Sequence, residues 1–406
     1  MTTLLLVSAL FLQDPDDLPI AADAPEAYRK AMENGRDALK RRRYGDAARE
    51  FGAALRAKPN DKVAERGFGR AIKELEIYNT RYGEMKAATM KRFGMDDGAS
   101  AIERGLKYLA EKQEPDGRWK CKPTHATDDV ASTSFALLAL LADGHSTSTG
   151  DHAGTVAKGI AWLVKQQQDD GSFAGSSRLY TEGIATLVLV EAFVMGGTEA
   201  HYEAAQKGII HIVKSQRPEG GWMYRGPEAG AGDTSVTGMM FQPLKQGQMA
   251  YLDFDEKSLE RGRAFVDALT DGGFVGYRRA GDTRRIVLTA IGNLVRVYGG
   301  LGFDDGRVKA GLAEVLRQRE HMKDNLYFLY YGVMLAFLAG GDAWTQWRDV
   351  MKPHLLATQE KDGRWVPKGA GPDAGYADYL SETDATAMAL LSLECCYRYV
   401  PRAMLK

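Results

Sequence analysis

The stretch Gly105 to Leu141, GLKYLAEKQEPDGRWKCKPTHATDDVASTSFALLALL, reads as a short amphipathic helix, a turn built on Gln113, Asp116, Gly117 and Trp119, and a second helix that is apolar on nearly every side. A helix without a polar face is buried all round, so this one predicts a central position. The unit recurs to the end of the chain. Its first half is a glycine, a glutamine eight residues later and an aromatic six after that, as in Gly105/Gln113/Trp119, Gly159/Gln167/Phe173 and Gly208/Gln216/Trp222. Gln359/Trp365 repeats the second spacing, with Met351 in the glycine's place. Degenerate units lie around Gly262 to Phe274 and Gly311 to Gln318.

Laying the apolar helices over one another through Thr133, Thr186, Thr237, Thr289 and Thr386, with Tyr331 in the fifth unit, gives a period of about 50 residues. Each unit is then an outer amphipathic helix, a turn and an inner buried helix. The expectation is an all-α protein whose residues 100–400 form an α6/α6 toroid of six helical hairpins, the inner helices parallel around a central cavity. Pro243, inside the third inner helix, predicts an early end or a kink there.

The Gln…Gly-x-Trp turns resemble the repeats of the squalene cyclase and protein prenyltransferase superfamily, over about residues 100 to 400. The resemblance implies that glutamine and aromatic clamp one helix end against the next hairpin. Trp119, Trp222 and Trp365 are therefore expected to stabilise the fold and to take no part in chemistry.

Upstream, residues 1–24 hold a short apolar run, MTTLLLVSALFL, and a Pro/Asp/Ala-rich continuation that matches a secretory leader imperfectly. The expectation is an exported or periplasmic protein, with a cytoplasmic one as the alternative. In residues 25–95, Gly35, Ala47, Phe51, Ala54 and Pro59 stand at the spacings of a tetratricopeptide repeat, which this helical segment resembles. A long helix is expected from about Asp61 to Phe93. One such repeat cannot bury its own face, so it docks on the toroid or offers a groove to a protein partner. The basic run Lys40 to Arg43 lies beside acidic residues on a helix and reads as a solvated face. With a net charge of −1, bulk electrostatics gives no reason to expect nucleic acid or an anionic membrane. Three cysteines, Cys121, Cys395 and Cys396, make no disulfide framework.

Four residues before each aligned position stand Asp129, Glu182, Asp233, Arg285, Tyr327 (before Tyr331) and Glu382. Parallel inner helices place all six at one end of the cavity, a polar ring where a ligand site is expected. Carboxylates at helix N-termini also cap free amides with no functional role, so capping is the competing reading for each one. The resemblance implies a class II terpenoid cyclase acid in an Asp-x-Asp-Asp motif. This chain has Ala126-Thr127-Asp128-Asp129, without the first aspartate. The prenyltransferase zinc motif is absent. Cys121, His125 and Asp129 share a loop but make a weak ligand set, so neither metal nor cofactor is expected. Phe135, Tyr327, Phe328, Tyr330 and Tyr331 are candidate aromatic faces, and more simply core. Two Gly/Pro/Ala-rich loops, Met223 to Gly232 and Val366 to Ser381, read as lids or as long turns.

These residues support a ligand-binding or scaffold protein taking an apolar molecule, such as an isoprenoid, or a peptide end at the cavity mouth. The contacts would be Asp129, Glu182, Asp233, Arg285, Tyr327, Tyr331 and Glu382. The alternative is a class II terpenoid cyclase with Asp128 or Asp129 as proton donor. A weaker alternative is a carboxylate-pair glycan-active enzyme, which rests on fold analogy alone.

Overall fold

The computed structural model describes residues 20, 23–75, 78–121, 128–174, 178–196, 198–225, 231–368 and 380–399. The leader's apolar run, His125, and large parts of the two Gly/Pro/Ala-rich loops lie outside these residues.

Outer helices α5 (Ala99–Glu111), α7 (Ala153–Gln166), α9 (Glu199–Lys214), α11 (Lys257–Ala268), α13 (Gly306–Gln318) and α15 (Gly341–Thr358) alternate with inner helices. The inner ones are α6 (Asp129–Ala142), α8 (Leu179–Gly196), α10 (Thr234–Met249), α12 (Ile286–Tyr298), α14 (Leu326–Ala339) and α16 (Glu382–Leu393). Each inner helix packs on the next, and α16 packs back on α6, so the ring of six closes. Each outer helix lies against the inner helix before it in the chain, and α5 closes the outer layer by packing on α16. Four of the six inner helices start from side-chain caps: Asp128 accepts from Ala131 N–H, Asp233 from Val236 N–H and Asn325 from Phe328 N–H, while Ser381 and Asp384 form a capping box. Helix α8 is long and apolar enough to cross a membrane, and most of it is buried inside the ring.

The turn between outer and inner helix works as a clamp. Gln113 Nε2 donates to Gly117 O within its own turn and to Thr155 O in the first turn of the next outer helix, both at 2.9 Å. Gln216 repeats this on Gly220 and Ser258, and Gln359 on Gly363 and Ala101, which joins the last hairpin to the first. Gly117, Gly220 and Gly363 have φ of 101°, 97° and 92°. A Cβ there would come within 2.4 Å of Lys158 O, 2.3 Å of Arg261 O and 2.3 Å of Arg104 O. Only glycine fits, for conformation and for space. The indoles of Trp119, Trp222 and Trp365 donate to Leu109 O, Ile212 O and Leu355 O at the ends of their outer helices. Their backbone N–H groups donate to the hydroxyls of Thr133, Thr237 and Thr386. Thr133, Thr237 and Thr386 thus lock their turns to their inner helices, whereas Thr186 Oγ1 is buried without a hydrogen-bond partner. In the fourth unit a two-stranded hairpin, β1 (Thr270–Asp271) with β2 (Phe274–Val275), takes the place of the turn, and Val275 N–H still reaches Thr289 Oγ1 at 3.2 Å.

Two expectations are corrected. Of the early end or kink expected at Pro243, the early end is overturned: helix α10 runs through Pro243 to Met249, because the buried contacts with α8 and α12 on either side outweigh one lost backbone hydrogen bond. The expected helix from Asp61 to Phe93 is two helices, α3 (Lys62–Glu74) and α4 (Gly83–Phe93). Between them the 3-10 turn Asn79–Arg81 drives Arg81 into the ring, and Gly83 turns the chain at φ 47°.

The N-terminal segment is continuous with the toroid's packing. Helices α1 (Glu26–Lys40) and α2 (Tyr44–Ala57) pair, with the Phe51 ring seated against Gly35 and Gly67. Helix α3 lies on α8 and α9, where Phe68 stacks on Phe193 at 5.8 Å and meets Tyr202 edge-on. Lys62 binds Glu65, Glu199 and Glu203 across this junction. Burial and Glu199 push the Glu65 carboxyl up to about 7. At the far end of the ring, Arg81 and Arg398, from α17 (Cys395–Arg398), bind Glu191 at 2.8 and 2.9 Å with all three side chains fully buried. Burial alone would push the Glu191 carboxyl up, but the two guanidiniums hold it below the usual range. Its stabilising effect is therefore complete above the ordinary glutamate value and is lost as the pH falls through the lowered one.

Glu191→Ala strands two buried cations and should cost about 3 to 5 kcal/mol, seen as a fall in thermal midpoint at neutral pH. A chain beginning at Gly83, without Arg81 and α3, should fail to unfold as one cooperative unit by circular dichroism.

Candidate functional site

The six first-turn residues lie at one end of the inner helices, but they do not make one polar ring. Three carboxylates are tied to the outer layer. Asp129 accepts Cys121 N–H at 2.9 Å and pairs with Arg118 at 3.4 Å. Glu382 pairs with Arg364 at 3.5 Å and accepts Tyr108 OH at 3.4 Å. Glu182 meets His211 Nε2 at 2.9 Å. The repeat explains these ties: Arg118 and Arg364 both precede the clamp tryptophan, while Tyr108 and His211 both stand three residues after the outer-helix glycine. Burial opposes a charge on His211, yet Glu182 and Asp170 outweigh it and raise the imidazole above its ordinary value. The pair therefore stabilises fully below that ordinary value and weakens as the pH rises through the raised one.

Asp128 spends its carboxylate on the cap of α6. Cys121 is half-buried, and burial with the nearby Asp129 pushes its thiol up to about 11, so it holds its proton at neutral pH.

At this end of the ring, Asp233 and Asp384 each keep one carboxylate oxygen without a hydrogen-bond partner, as Glu394 does with both of its own at the other end of its inner helix. Asp233 is fully buried; one oxygen caps α10 through Val236 N–H and takes Ser235 Oγ–H at 2.6 Å, and the other has no hydrogen-bond partner. Burial raises its carboxyl above the usual range, against the pull of these bonds and of Arg278. Asp384 is also buried, with Oδ2 on Ser381 N–H and Oδ1 unpartnered. Burial raises it too, and Asp128 adds to the rise.

Tyrosines close the centre. The hydroxyl of Tyr180, at the start of α8, lies 3.1 Å from that of Tyr331 and 3.2 Å from that of Tyr327, both on α14. In the ring order α6, α8, α10, α12, α14, α16, helices α8 and α14 stand opposite each other, so these bonds cross the axis. Deeper down, Tyr330 OH reaches Gln242 Oε1 of α10 at 3.0 Å, and Gln246 reaches Glu191 at 3.2 Å. Met239, Met240 and Phe241 are fully buried, the first two against Gly183 and Phe241 against Trp222. No described residue facing this interior from α14 is more than 8% exposed. Between the tyrosines and the Glu191 cluster, Tyr330, Gln242, Met239 and Met240 are all buried.

The mouth above is lined on one side by Tyr180, Tyr224 and Tyr277. The rings of Tyr180 and Tyr224 stack at 6.5 Å, and Tyr224 OH sits 3.3 Å from Ser235 Oγ. Arg285 is exposed at the N-cap position of α12. Tyr180 and Tyr277 were not among the sequence candidates. Their signal was the pairing of each with an arginine, Arg178-x-Tyr180 and Tyr277-Arg278, beside the turn into an inner helix.

Residues 83–232 match the family model of the squalene-hopene cyclase C-terminal domain. Among curated relatives, the drimenyl diphosphate synthase of Streptomyces showdoensis is 26% identical over 205 residues, 48% of this chain and 35% of that protein. The squalene–hopene cyclase of Alicyclobacillus acidocaldarius is 30% identical over 138 residues, 32% of this chain and 21% of that one. The chain thus spans about a third or less of these relatives. Among solved structures, a variant of the type II terpene cyclase MstE from Scytonema, in complex with geranylgeranyl dihydroxybenzoate, superposes with a TM-score of 0.54 at 14% identity, covering 75% of this chain and 98% of that one. An α-1,6-mannanase from Salegentibacter does so at 0.53 and 12%, covering 74% and 99%. At these identities what is shared is the fold.

Asp233→Asn keeps the cap and removes the buried charge, so its stability relative to the parent should grow as the pH rises through the carboxyl's raised value. Asp233→Ala loses the cap and should cost about 1 kcal/mol in thermal or urea unfolding below that value.

Proposed function

Starting from a toroid of the squalene-cyclase-like family, we propose that this protein is a ligand-binding or scaffold protein whose ligand sits at the mouth of the ring, on a closed tyrosine floor. The observation that carries this reading is the hydrogen bonding of Tyr180 to Tyr327 and Tyr331 across the axis. A polyprene cyclase needs a cavity deep enough to fold its substrate, lined by ring faces that stabilise a carbocation. Here the phenol edges meet at the axis, above inner-helix side chains that are buried. This favours a polar molecule or a peptide end over an isoprenoid chain. Tyr327, Tyr331 and Asp233 stay in the ligand set, joined by Tyr180 and Tyr224. Asp129, Glu182 and Glu382 have structural partners that account for them. Residues 25–95 then serve the fold first, since Arg81 and Phe68 are built into the ring and its side.

A class II cyclase is the second reading, favoured by the named relatives and by the raised carboxyls of Asp233 and Asp384. An acid that protonates an alkene has to be neutral in an apolar surrounding, and burial raises both of these carboxyls in that direction. Asp129 has given its oxygens to Arg118 and Cys121 N–H. The donor on this reading is Asp384 or Asp233, with Asp128 beside the former.

Incubation of the full chain with squalene and with geranylgeranyl diphosphate, followed by mass spectrometry of the extract, should return both unchanged. A cyclised product that disappears in Asp384→Asn or Asp233→Asn would establish the second reading in place of the first.

A further inference from the structure

The N-terminal segment meets the ring through a cluster of charges that does not balance without a proton. Lys62 and Glu65 stand on α3, and Glu199 and Glu203 stand one turn apart at the start of the outer helix α9. Oxygens of the three carboxyls all lie within 4.8 Å of one another. The Lys62 ammonium sits among them, 3.2 Å from Glu65, 2.6 Å from Glu203 and also paired with Glu199. Glu65 is only 2% exposed, whereas Glu199 and Glu203 are half-buried.

The other charges around the joint are largely paired. Arg56 of α2 faces Asp253 at 3.9 Å, and Lys58 meets Asp61 at 2.8 Å, where Tyr28 of α1 also donates. Arg66, one turn along α3 from Lys62, acts on Glu199. Tyr202 of α9 lies near Glu65, and burial keeps its hydroxyl protonated. Lys207, one turn beyond Glu203, is exposed, so solvent and salt screen it. Helix α8 meets α3 through the Phe193 ring. His201 turns to Ala192 of α8, and burial lowers its imidazole, so it is already neutral near pH 7. Two cations, Lys62 and Arg66, therefore face three carboxyls. Like charges this close, one of them buried, do not all ionise. A hydrogen bond between Glu65 and Glu199, with one proton for the pair, restores the balance.

We propose that this joint is a proton-controlled clasp: a proton shared by Glu65 and Glu199 holds α1–α3 on the ring, and its loss sets two adjacent carboxylates against each other and lets α3 lift from α8 and α9. Phe68 and Tyr202, three residues on from Glu65 and Glu199, stack with Phe193 beside the clasp. Opening uncovers these rings next to the cleft lined by Leu55, Pro59, Ile210 and Tyr251.

The sign follows from Glu65, which burial and Glu199 raise to about 7 in the closed joint and which returns to the ordinary glutamate value when exposed. The clasp is complete below that ordinary value, weakens as the pH rises between the two, and is lost above about 7. Glu199 goes the other way. Burial opposes its charge, but Lys62 and the Glu65 proton hold it below the usual range, so its share is lost only in acid.

Hydrogen exchange of the full chain, read by mass spectrometry and corrected for the intrinsic rate at each pH, tests this. The opening constant of α1–α3 should rise about tenfold or more between about pH 5 and about pH 7.5 and then level off, without a matching rise in α14. Glu65→Gln keeps a donor toward Glu199 and cannot ionise, so it should stay closed and abolish the rise. Glu199→Gln removes the other carboxylate and should flatten the rise independently. His201→Gln should retain it. Protection of α1–α3 that does not change over this range, a rise that survives in either glutamate variant, or one lost only in His201→Gln overturns the proposal.

Discussion

The structure depends on a glutamine that bonds in two directions. In the first, third and sixth hairpins its amide closes its own turn on a glycine carbonyl and anchors a carbonyl in the first turn of the next outer helix, 2.8 to 2.9 Å away in each case. Because the turn glycine sits under the next helix's backbone, no side chain separates the two hairpins. An amide with both bonds inside a half-buried joint is costly to remove, since each carbonyl it leaves loses a partner away from bulk water. Six hairpins joined at a constant step close into a ring, and the ring sets the inner helices parallel.

Closure makes the centre scarce space, and this chain spends it on packing. Inner helices rich in Leu, Ala, Met and Phe interlock below Tyr180, and the far end is stoppered by Arg81 and Arg398 on Glu191. A buried triad of this kind is costly to desolvate, and its value lies in fixing which segments meet. Here it fixes the N-terminal segment and the end of the described chain onto one inner helix. That leaves the mouth, where the inner helices begin, as the part of the ring with chemistry to offer.

Much of the fold was legible in the sequence, because glycine, glutamine and tryptophan at fixed spacing report a turn that only one geometry satisfies. The threonine alignment holds in register at four positions, for a reason the sequence did not show: the hydroxyls of Thr133, Thr237, Thr289 and Thr386 accept the N–H of the residue that closes the turn. The site was less legible. Periodicity places Asp129, Glu182 and Glu382 at the mouth end, but it says nothing of whether a carboxylate turns inward or outward, which Arg118, His211 and Arg364 decide. Tyr180 escaped because its role depends on α14, three inner helices away around the ring, and one chain read in order does not show which helices face each other. The break between α3 and α4 escaped for the same reason, since Arg81 turns inward to meet a glutamate 110 residues later.

The central claim is that the ring has a closed floor at Tyr180, Tyr327 and Tyr331 and a filled interior beneath it. Diffraction from crystals of the full chain under xenon pressure tests it most directly, because xenon enters apolar voids without needing a polar partner. The account predicts no xenon between Tyr180 and Glu191. Xenon, or density for a retained hydrocarbon chain, along the axis below Tyr331 would contradict it.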